Sequence, residues 1–286
     1  MKQFGRFVRV QVGTLDVSDL DVSFEIERGL GGHAGTCQLS IINLTEAHRN
    51  EIYRAPRRQT FVSVDAGYSN ETGRNASRLF TGDLTRAIIE REGTDWVVKV
   101  SAGDGLHAVR AARVSRSFAA GVSLTSVVQH IAEAMGVGIG NAVEALQGAS
   151  FSDGGSQFPE GTMLRGRAAD ELGRLTDAAG MEWSIQDGVL MILRAGAAVQ
   201  RTAILLSPES GMIASPKIIN RRAIEVECLI QPGLTPGQLV VVRSQVVSGT
   251  YRINHAKFKG EKRGQDWTAS LTCRLPRAPL TPTVGS

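Results

Sequence analysis

Apolar residues in the opening segment recur at every second position, and this period limits the fold more than any other feature. Phe7, Val8, Val10 and Val12 come first, then Leu20, Val22, Phe24 and Ile26, with Asp21, Ser23, Glu25 and Glu27 on the opposite side. A helix would scatter these residues around its axis, whereas an extended chain collects them on one face, so the segment reads as half-buried antiparallel strands. Residues 36–42, 60–68, 78–90 and 96–102 continue the pattern. The glycine-rich stretch 29–35 reads as a loop, and Thr45 caps a short helix to Tyr53. About six strands in the first hundred residues are enough for a small barrel or sandwich.

From Asp104 the periodicity changes. Leu124, Val127, Val128, Ile131 and Met135 follow Ser123 at helical spacing and predict a helix that ends near Gly136. Residues 136–161 read as a glycine-rich loop. A second helix is expected over 167–179, with Ala168, Leu172, Leu175 and Ala179 inward and Gly180 as its C-cap. Met181, Trp183 and Ile185 then alternate up to Asp187-Gly188, a type I′ turn signal, after which residues 189–193 return as a strand.

The last region is again strands, over 222–230, 238–244, 249–259 and 267–275, punctuated by Pro232-Gly233 and Pro236-Gly237. The expected domains are therefore 1–103 (β), 104–195 (a small α/β insert with two helices and a hairpin), 196–276 (β) and 277–286 (a flexible tail). A short repeat links the two β regions. Gly93, Asp95 and Trp96 are echoed by Gly264, Asp266 and Trp267, each at the turn into a strand that follows a long alternating one. Residues 60–64 match 238–242 as Val-rich strands, and Gly82 and Gly249 are read as opening the long strands. This order of features predicts a duplicated β domain split by the insert, with both tryptophans anchoring their last strand against the interior.

Composition narrows the function. The formal net charge of +4 hides an asymmetry: residues 1–215 carry 21 Lys and Arg against 24 Asp and Glu, whereas residues 216–286 carry 11 against 4. Lys257, Lys259, Lys262 and Arg263 lie within that surplus and are expected to face an acidic assembly partner or DNA; the alternative is a solvated basic face. No apolar run reaches the roughly 18 residues of a membrane span, and the cations of residues 1–10 have no apolar stretch behind them, so neither a span nor a signal peptide is expected. Cys37, Cys228 and Cys273 lack CxxC spacing and read as buried thiols.

No chemistry-bearing constellation emerges. The histidines at 33, 48, 107, 130 and 255 never fall at i and i+4, and there is no HExxH, GxSxG or SxxK. Glu25 with Glu27, and Glu225 with Glu227, share strand faces, whereas the acid and nucleophile of glycoside cleavage flank a sugar at about 5–9 Å. Neither Gly29-Leu30-Gly31-Gly32 nor residues 136–140 joins a strand to a helix as a phosphate cradle requires. With aromatics at 5%, rings are too few for a stacking platform. No catalytic residue, cofactor or metal is expected.

Ordered along the chain, several short motifs are together distinctive. Asn43-Leu44-Thr45 ends an apolar strand before a short helix; residues 64–68 (VDAGY) and 79–83 (LFTGD) follow, then Asp95-Trp96 and the strand into residues 102–105 (AGDG). This series resembles the N-terminal barrel of phage baseplate hub proteins. Residues 234–237 (LTPG), 249–253 (GTYRI) and 264–267 (GQDW) are similar to the second barrel of that family, and the helix and hairpin over 168–193 to its middle domain. The resemblance implies two tail-tube-like antiparallel β-barrels flanking a small α/β domain, in a structural homotrimer that joins a sixfold tail tube to a threefold spike. Implied partners are the tail tube protein, a central spike protein, other baseplate proteins and, transiently, DNA in the lumen. The implied location is the virion tail baseplate, assembled in the bacterial host cytoplasm. Two alternatives come from other classes: a tail-associated peptidoglycan hydrolase with a dispersed site, and a murein- or polysaccharide-binding module built on the insert.

Overall fold

The computed structural model describes residues 5–70, 73–147, 151, 155–199, 202–277 and 283–284. The first segment contains β1 (Arg6–Val12), β2 (Leu15–Asp16), β3 (Asp21–Gly29), β4 (Gly35–Ile42), α1 (Glu46–Arg54), β5 (Phe61–Asn70), β6 (Gly73–Glu92) and β7 (Asp95–Asp104). The middle contains α2 (Leu106–Ala111), β8 (Arg113–Phe118), β9 (Val122–Ser123), α3 (Leu124–Met135), β10 (Gly138–Ile139), α4 (Ala142–Gln147), β11 (Gln157–Phe158), β12 (Thr162–Arg167), α5 (Ala168–Ala178), β13 (Met181–Gln186) and β14 (Val189–Arg194). The last contains β15 (Thr202–Leu206), a 3₁₀ turn (Pro208–Ser210), β16 (Lys217–Asn220), β17 (Ala223–Leu229), β18 (Leu239–Arg243), β19 (Ser248–Glu261), β20 (Trp267–Arg274) and β21 (Thr283–Val284).

Two compact units result, one of residues 1–28, 35–103 and 198–286, the other of residues 29–34 and 104–197. In the first unit the strand order of the opening half is β3-β4-β7-β6-β5-β1, and that of the closing half is β16-β17-β20-β19-β18-β15. The two orders correspond strand for strand in chain sequence. They differ in one sense of pairing: β1 runs antiparallel to β5, whereas β15 runs parallel to β18.

The registers agree as well. In β6–β7, Leu84 pairs with Ala102 and Arg86 with Ser101, so Thr85 is a bulge; in β19–β20, Ile253 pairs with Cys273 and His255 with Thr272, so Asn254 is the bulge. Both bulges stand at the same offset from Trp96 and Trp267. Bulges are positioned features that re-aim a strand, so a shared one at a shared offset extends the correspondence from strand order to register. The Leu84 N–H donates to the Thr60 carbonyl at 2.8 Å and the Ile253 N–H to the Gln238 carbonyl at 2.9 Å, which aligns residues 60–64 with 238–242. Gly82 and Gly249 do not align. Gly82 lies inside the long β6, at the register of Tyr251.

The halves are not two separate closed barrels. β3 pairs with β19, so both halves form one continuous sheet, and no ladder closes on itself among the described residues. One apolar core runs through them, from Val10, Phe24 and Ile41 to Val226, Phe258 and Leu271. Edge strands expose unpaired backbone groups, and β3 satisfies one such edge by adding to β19. The tail also departs from expectation, since β21 pairs with β15; residues 278–282 and 285–286 lie outside the described residues.

The second unit has its own core around Val127, Ile131, Leu164, Leu172, Trp183 and Ile192. The Ser123 hydroxyl accepts from the Ser126 N–H, and Gly136 closes α3 at φ 67°, as the sequence signals require. α5 ends at Ala178, capped by Ala179, with Gly180 beyond it at φ 65°. The stretch 136–161 is not all loop: β10 adds parallel to β14 and α4 buries Ala142 and Leu146, while residues 148–150 and 152–154 lie outside the described residues. β8 and β12, not foreseen as strands, pair as a two-stranded ribbon. Residues 29–34 bind to the hairpin: the Gly31 and Gly32 N–H groups donate to the Trp183 carbonyl at 3.1 and 3.0 Å. A Cβ on Gly32 would stand 2.7 Å from the Trp183 ring, and φ there is +77°, so glycine is required.

Asp187 and Gly188 have φ 55° and 77°, the two left-handed positions of a type I′ turn. The buried Asp104 carboxylate accepts from their N–H groups at 2.6 and 2.8 Å. Hydrogen bonds to a charged acceptor contribute about 1.5–3 kcal/mol each. Asp104→Ala should therefore raise amide hydrogen exchange at Asp187 and Gly188 by at least about 30-fold, with the change confined to this unit; unchanged protection would show that the carboxylate does not hold the turn.

A candidate assembly interface

The junction between β3 and β19 is the most elaborated polar and aromatic site in the first unit. Lys257 on β19 reaches across to Glu25 and Glu27 on β3, at 2.7 and 2.9 Å. Two carboxylates at alternate positions of one strand face bracket one ammonium. The Lys262 N–H donates to the Val22 carbonyl at 2.9 Å, and its Nζ to the Ser18 carbonyl. Arg6 donates to the carbonyls of Glu261, Gly264 and Gln265 at 2.9, 2.7 and 3.0 Å, closing the turn after β19.

Beneath this layer Trp267 is the anchor, 2% exposed. Phe24 and Tyr68 meet its ring edge-on at centroid distances of 6.0 and 6.2 Å, and the Arg6 guanidinium lies 5.2 Å over it. Gly260 makes the approach of Phe24 feasible, since a Cβ there would come within 2.3 Å of the Phe24 ring. The glycine opposite Trp267 in the β19–β20 ladder is thus the hole into which β3 seats its aromatic.

The residues singled out by the repeat occupy matching register positions in different surroundings. Trp96, second in β7, stands opposite Arg91 as Trp267, first in β20, stands opposite Gly260. Trp96, however, is 39% exposed and lies against the guanidinium groups of Arg49 and Arg91, at 4.6 and 5.9 Å, so the interior anchoring expected of both tryptophans holds only for Trp267. The reason is the missing neighbour: among the described residues no strand covers that side of β6 as β3 covers β19. Asp95 accepts from Asn43 Nδ2 at 3.1 Å, whereas Asp266 pairs with Lys259. Gly93 turns at φ 63° in a two-residue connection; Gly264 sits in a longer turn, where the Glu261 carboxylate accepts from the Gln265 and Asp266 N–H groups.

The basic cluster is largely consumed within the chain. Lys257 binds Glu25 and Glu27, Lys259 binds Asp266 and Lys262 binds the Ser18 carbonyl, which leaves Arg263 exposed at the turn. Sequence alone showed the positive surplus but not that strands distant in the chain supply its counter-charges.

Two further edges mirror the junction. Across Arg86 to Glu92, β6 pairs with β7 on one side, and no strand occupies its other side among the described residues; this is the register at which β19 receives β3. β16, the counterpart of β3, ends the sheet. Ile218 aligns with Ile26 through the pairs Ile218–Ile224 and Ile26–Cys37, yet Ile218 is 62% exposed and Ile26 is fully buried. Ile219 is 54% exposed beside it.

Among the described residues no group of three His, Cys, Asp or Glu could hold a metal ion. Burial pushes the Cys228 thiol up to about 12 and raises Cys37 and Cys273 as well, so all three stay protonated. A concavity of about 1110 Å³ along β15 has Ser207, Glu209, Gln231, Arg243 and Ser244 in its lining. No helix among the described residues is long and apolar enough to cross a membrane.

Two outcomes test the junction. Trp267→Ala should cost about 3–5 kcal/mol by urea denaturation; a loss below 1 kcal/mol would show that the ring does not anchor the joint. Hydrogen bonds to Glu25 and Glu27 hold the Lys257 ammonium above its ordinary value. A raised folded-state value stabilises fully below the unfolded value of about 10.4 and is lost as pH rises through the folded one. The stability gap between wild type and Lys257→Met should therefore be constant at neutral pH and shrink only at strongly alkaline pH.

Comparison with known proteins places this geometry. The model of the family described as Baseplate hub gp41 matches residues 8–273. Among solved structures the chain is similar to the 43 kDa tail protein of prophage MuSo2 from Shewanella oneidensis (13% identity, TM-score 0.63, covering 93% of this chain and 97% of that one). It is also similar to the tail protein from Neisseria meningitidis MC58 (10% identity, TM-score 0.65, 95% and 97%). A third is the E. coli c3393 protein, a component of the type VI secretion system with structural similarity to T4 bacteriophage tail proteins gp27 and gp5 (9% identity, TM-score 0.58, 99% and 80%). At these identities the likeness is one of fold. No match was found among curated proteins.

Proposed function

The chain belongs to the baseplate hub gp41 family, and on that footing we propose that it acts as a trimeric symmetry adaptor, joining a sixfold tail tube to a threefold spike. The observation that carries this reading is the duplicated strand order with its shared bulge. A chain with two similar half-sheets presents one kind of docking rim twice, so three chains present it six times, while the unduplicated second unit keeps threefold symmetry. The role is mechanical, with no catalytic step. Its partners are the tube protein on the sixfold side, the spike on the other, and neighbouring baseplate proteins; its place is the virion tail, assembled in the host cytoplasm.

The junction within the chain supplies a template for the junction between chains. β16 of one copy adds to the open side of β6 of the next, as β3 adds to β19. A heterologous contact of this kind closes into a ring when the rotation allows. Lys217 stands where Glu25 does; Ile88 takes the place of Lys257, and Glu90, which Lys99 also binds, takes that of Lys259, whose ammonium feels the Glu25 charge. Ile218 and Ile219 lose their exposure against Ile88 and Ile89.

Mass photometry of the pure protein should give three times the 30.6 kDa of the chain. Ile218→Asp with Ile219→Asp should leave a folded monomer. Lys217→Glu should weaken the trimer, and adding Glu90→Lys should restore it. A trimer insensitive to these changes would refute the proposed seam while leaving the adaptor role intact; a monomer at all concentrations, with no association with tubes, would refute the role.

A further inference from the structure

A different surface, in the second unit, has no place in this assembly scheme. The β8–β12 ribbon turns Val114 and Leu164 into the core and leaves its other face exposed. Arg113 lies directly opposite Arg167, Ser115 opposite Arg165 and Ser117 opposite Met163. Like charges directly opposed across two strands are destabilising, so the Arg113–Arg167 pair works against the ribbon it sits on. Residues 104–197 contain seven arginines, no lysine and ten acids. A unit with a net negative charge therefore concentrates three guanidinium groups on one small face. Arginine presents a planar fork of donors matched to paired anionic oxygens, which lysine does not.

The face already shows what it recognises. Asp170, at the start of α5, offers both carboxylate oxygens to Arg167, at 2.9 and 2.6 Å, and also feels the charge of Arg113. It occupies one corner of the cluster as a built-in two-oxygen anion. The Glu171 carboxylate, also nearby, is taken by the Arg174 side chain and the Arg165 backbone N–H, so it does not neutralise the Arg165 guanidinium.

We propose that the exposed face of the β8–β12 ribbon is a phosphodiester-binding surface that holds duplex DNA by its backbone, without reading sequence. Neighbouring strands about 4.8 Å apart, with same-face residues about 6.7 Å apart along each, set Arg113, Arg165 and Arg167 within reach of successive phosphates. The serine hydroxyls between them are donors to phosphate oxygens. DNA is favoured over an acidic polypeptide by what the face lacks. Protein interfaces centre on apolar and aromatic anchors, and only Met163 is of that kind here, whereas interfaces with DNA are polar and strongly positive.

The test is fluorescence anisotropy of a labelled 30-base-pair duplex with the full-length protein, titrated between 50 and 200 mM salt. About two neutralised phosphates, those met by Arg113 and Arg165, give log Kd a slope of about 2 against log salt. Arg113→Gln with Arg165→Gln should weaken binding at least tenfold and lower the slope by about two. Asp170→Asn should tighten binding and raise the slope by about one, because it frees Arg167. Such a gain cannot arise from unfolding. Binding unchanged in the double variant, or weakened by Asp170→Asn, overturns the proposal. Competition by polyglutamate as effective as by unlabelled duplex also overturns it, and assigns the face to an acidic polypeptide.

Discussion

The fold of the first unit depends on one strand serving two neighbours. β19 is long enough for its opening residues to pair with β18 while its closing residues receive β3. That second pairing makes one sheet and one core from two half-sheets. It works because Gly260 leaves room for Phe24, and because Trp267 fills the space beneath with an edge-on contact to Phe24 and Tyr68. Removing water from three rings at a single point is a large share of the stability available to such a joint. The Lys257 pairs above it are half-exposed, so they contribute more to register than to free energy.

The two halves repeat one backbone plan and differ in their surfaces. Val98, Val100 and Ala102 on β7 point inward as Ala269, Leu271 and Cys273 do on β20. The tryptophan at the start of each of these strands has the opposite fate in the two halves: Trp267 has β3 over it, and Trp96 has two arginines. The two halves have the same topology but offer different chemistry to a neighbour. The backbone repeats while the side chains differ.

The second unit is built on another principle. Its helices are set by capping and amphipathic spacing, and its hairpin by a type I′ turn held from below by Asp104. None of this involves duplication. Its distinctive surface is a ribbon whose two strands are separated in the chain by α3, α4 and the intervening turns.

Local signals in the sequence were sufficient for features whose causes are local. Alternation placed β3 with Val22, Phe24 and Ile26 inward and located β4 and β7; Thr45 and Ser123 marked helix starts; Gly136 and the Asp187-Gly188 pair marked a helix end and a turn, because capping and left-handed backbone are set by a few adjacent residues. The repeated Gly-x-Asp-Trp and the matched Val-rich strands revealed the duplication. Strand neighbours distant in the chain were decided only by tertiary structure. Glu25 and Glu27 read only as neighbours on one strand face, and the basic cluster only as a positive surplus; that Lys257 meets Glu25 and Glu27, Lys259 meets Asp266 and Lys262 the Ser18 carbonyl follows from which strands pack together. The contrast between Trp96 and Trp267 was equally hidden, since the two stand in nearly identical sequence and differ only in whether a remote strand covers them. Burial is a property of what packs on a residue, and the sequence around a residue does not contain its neighbours from the far end of the chain.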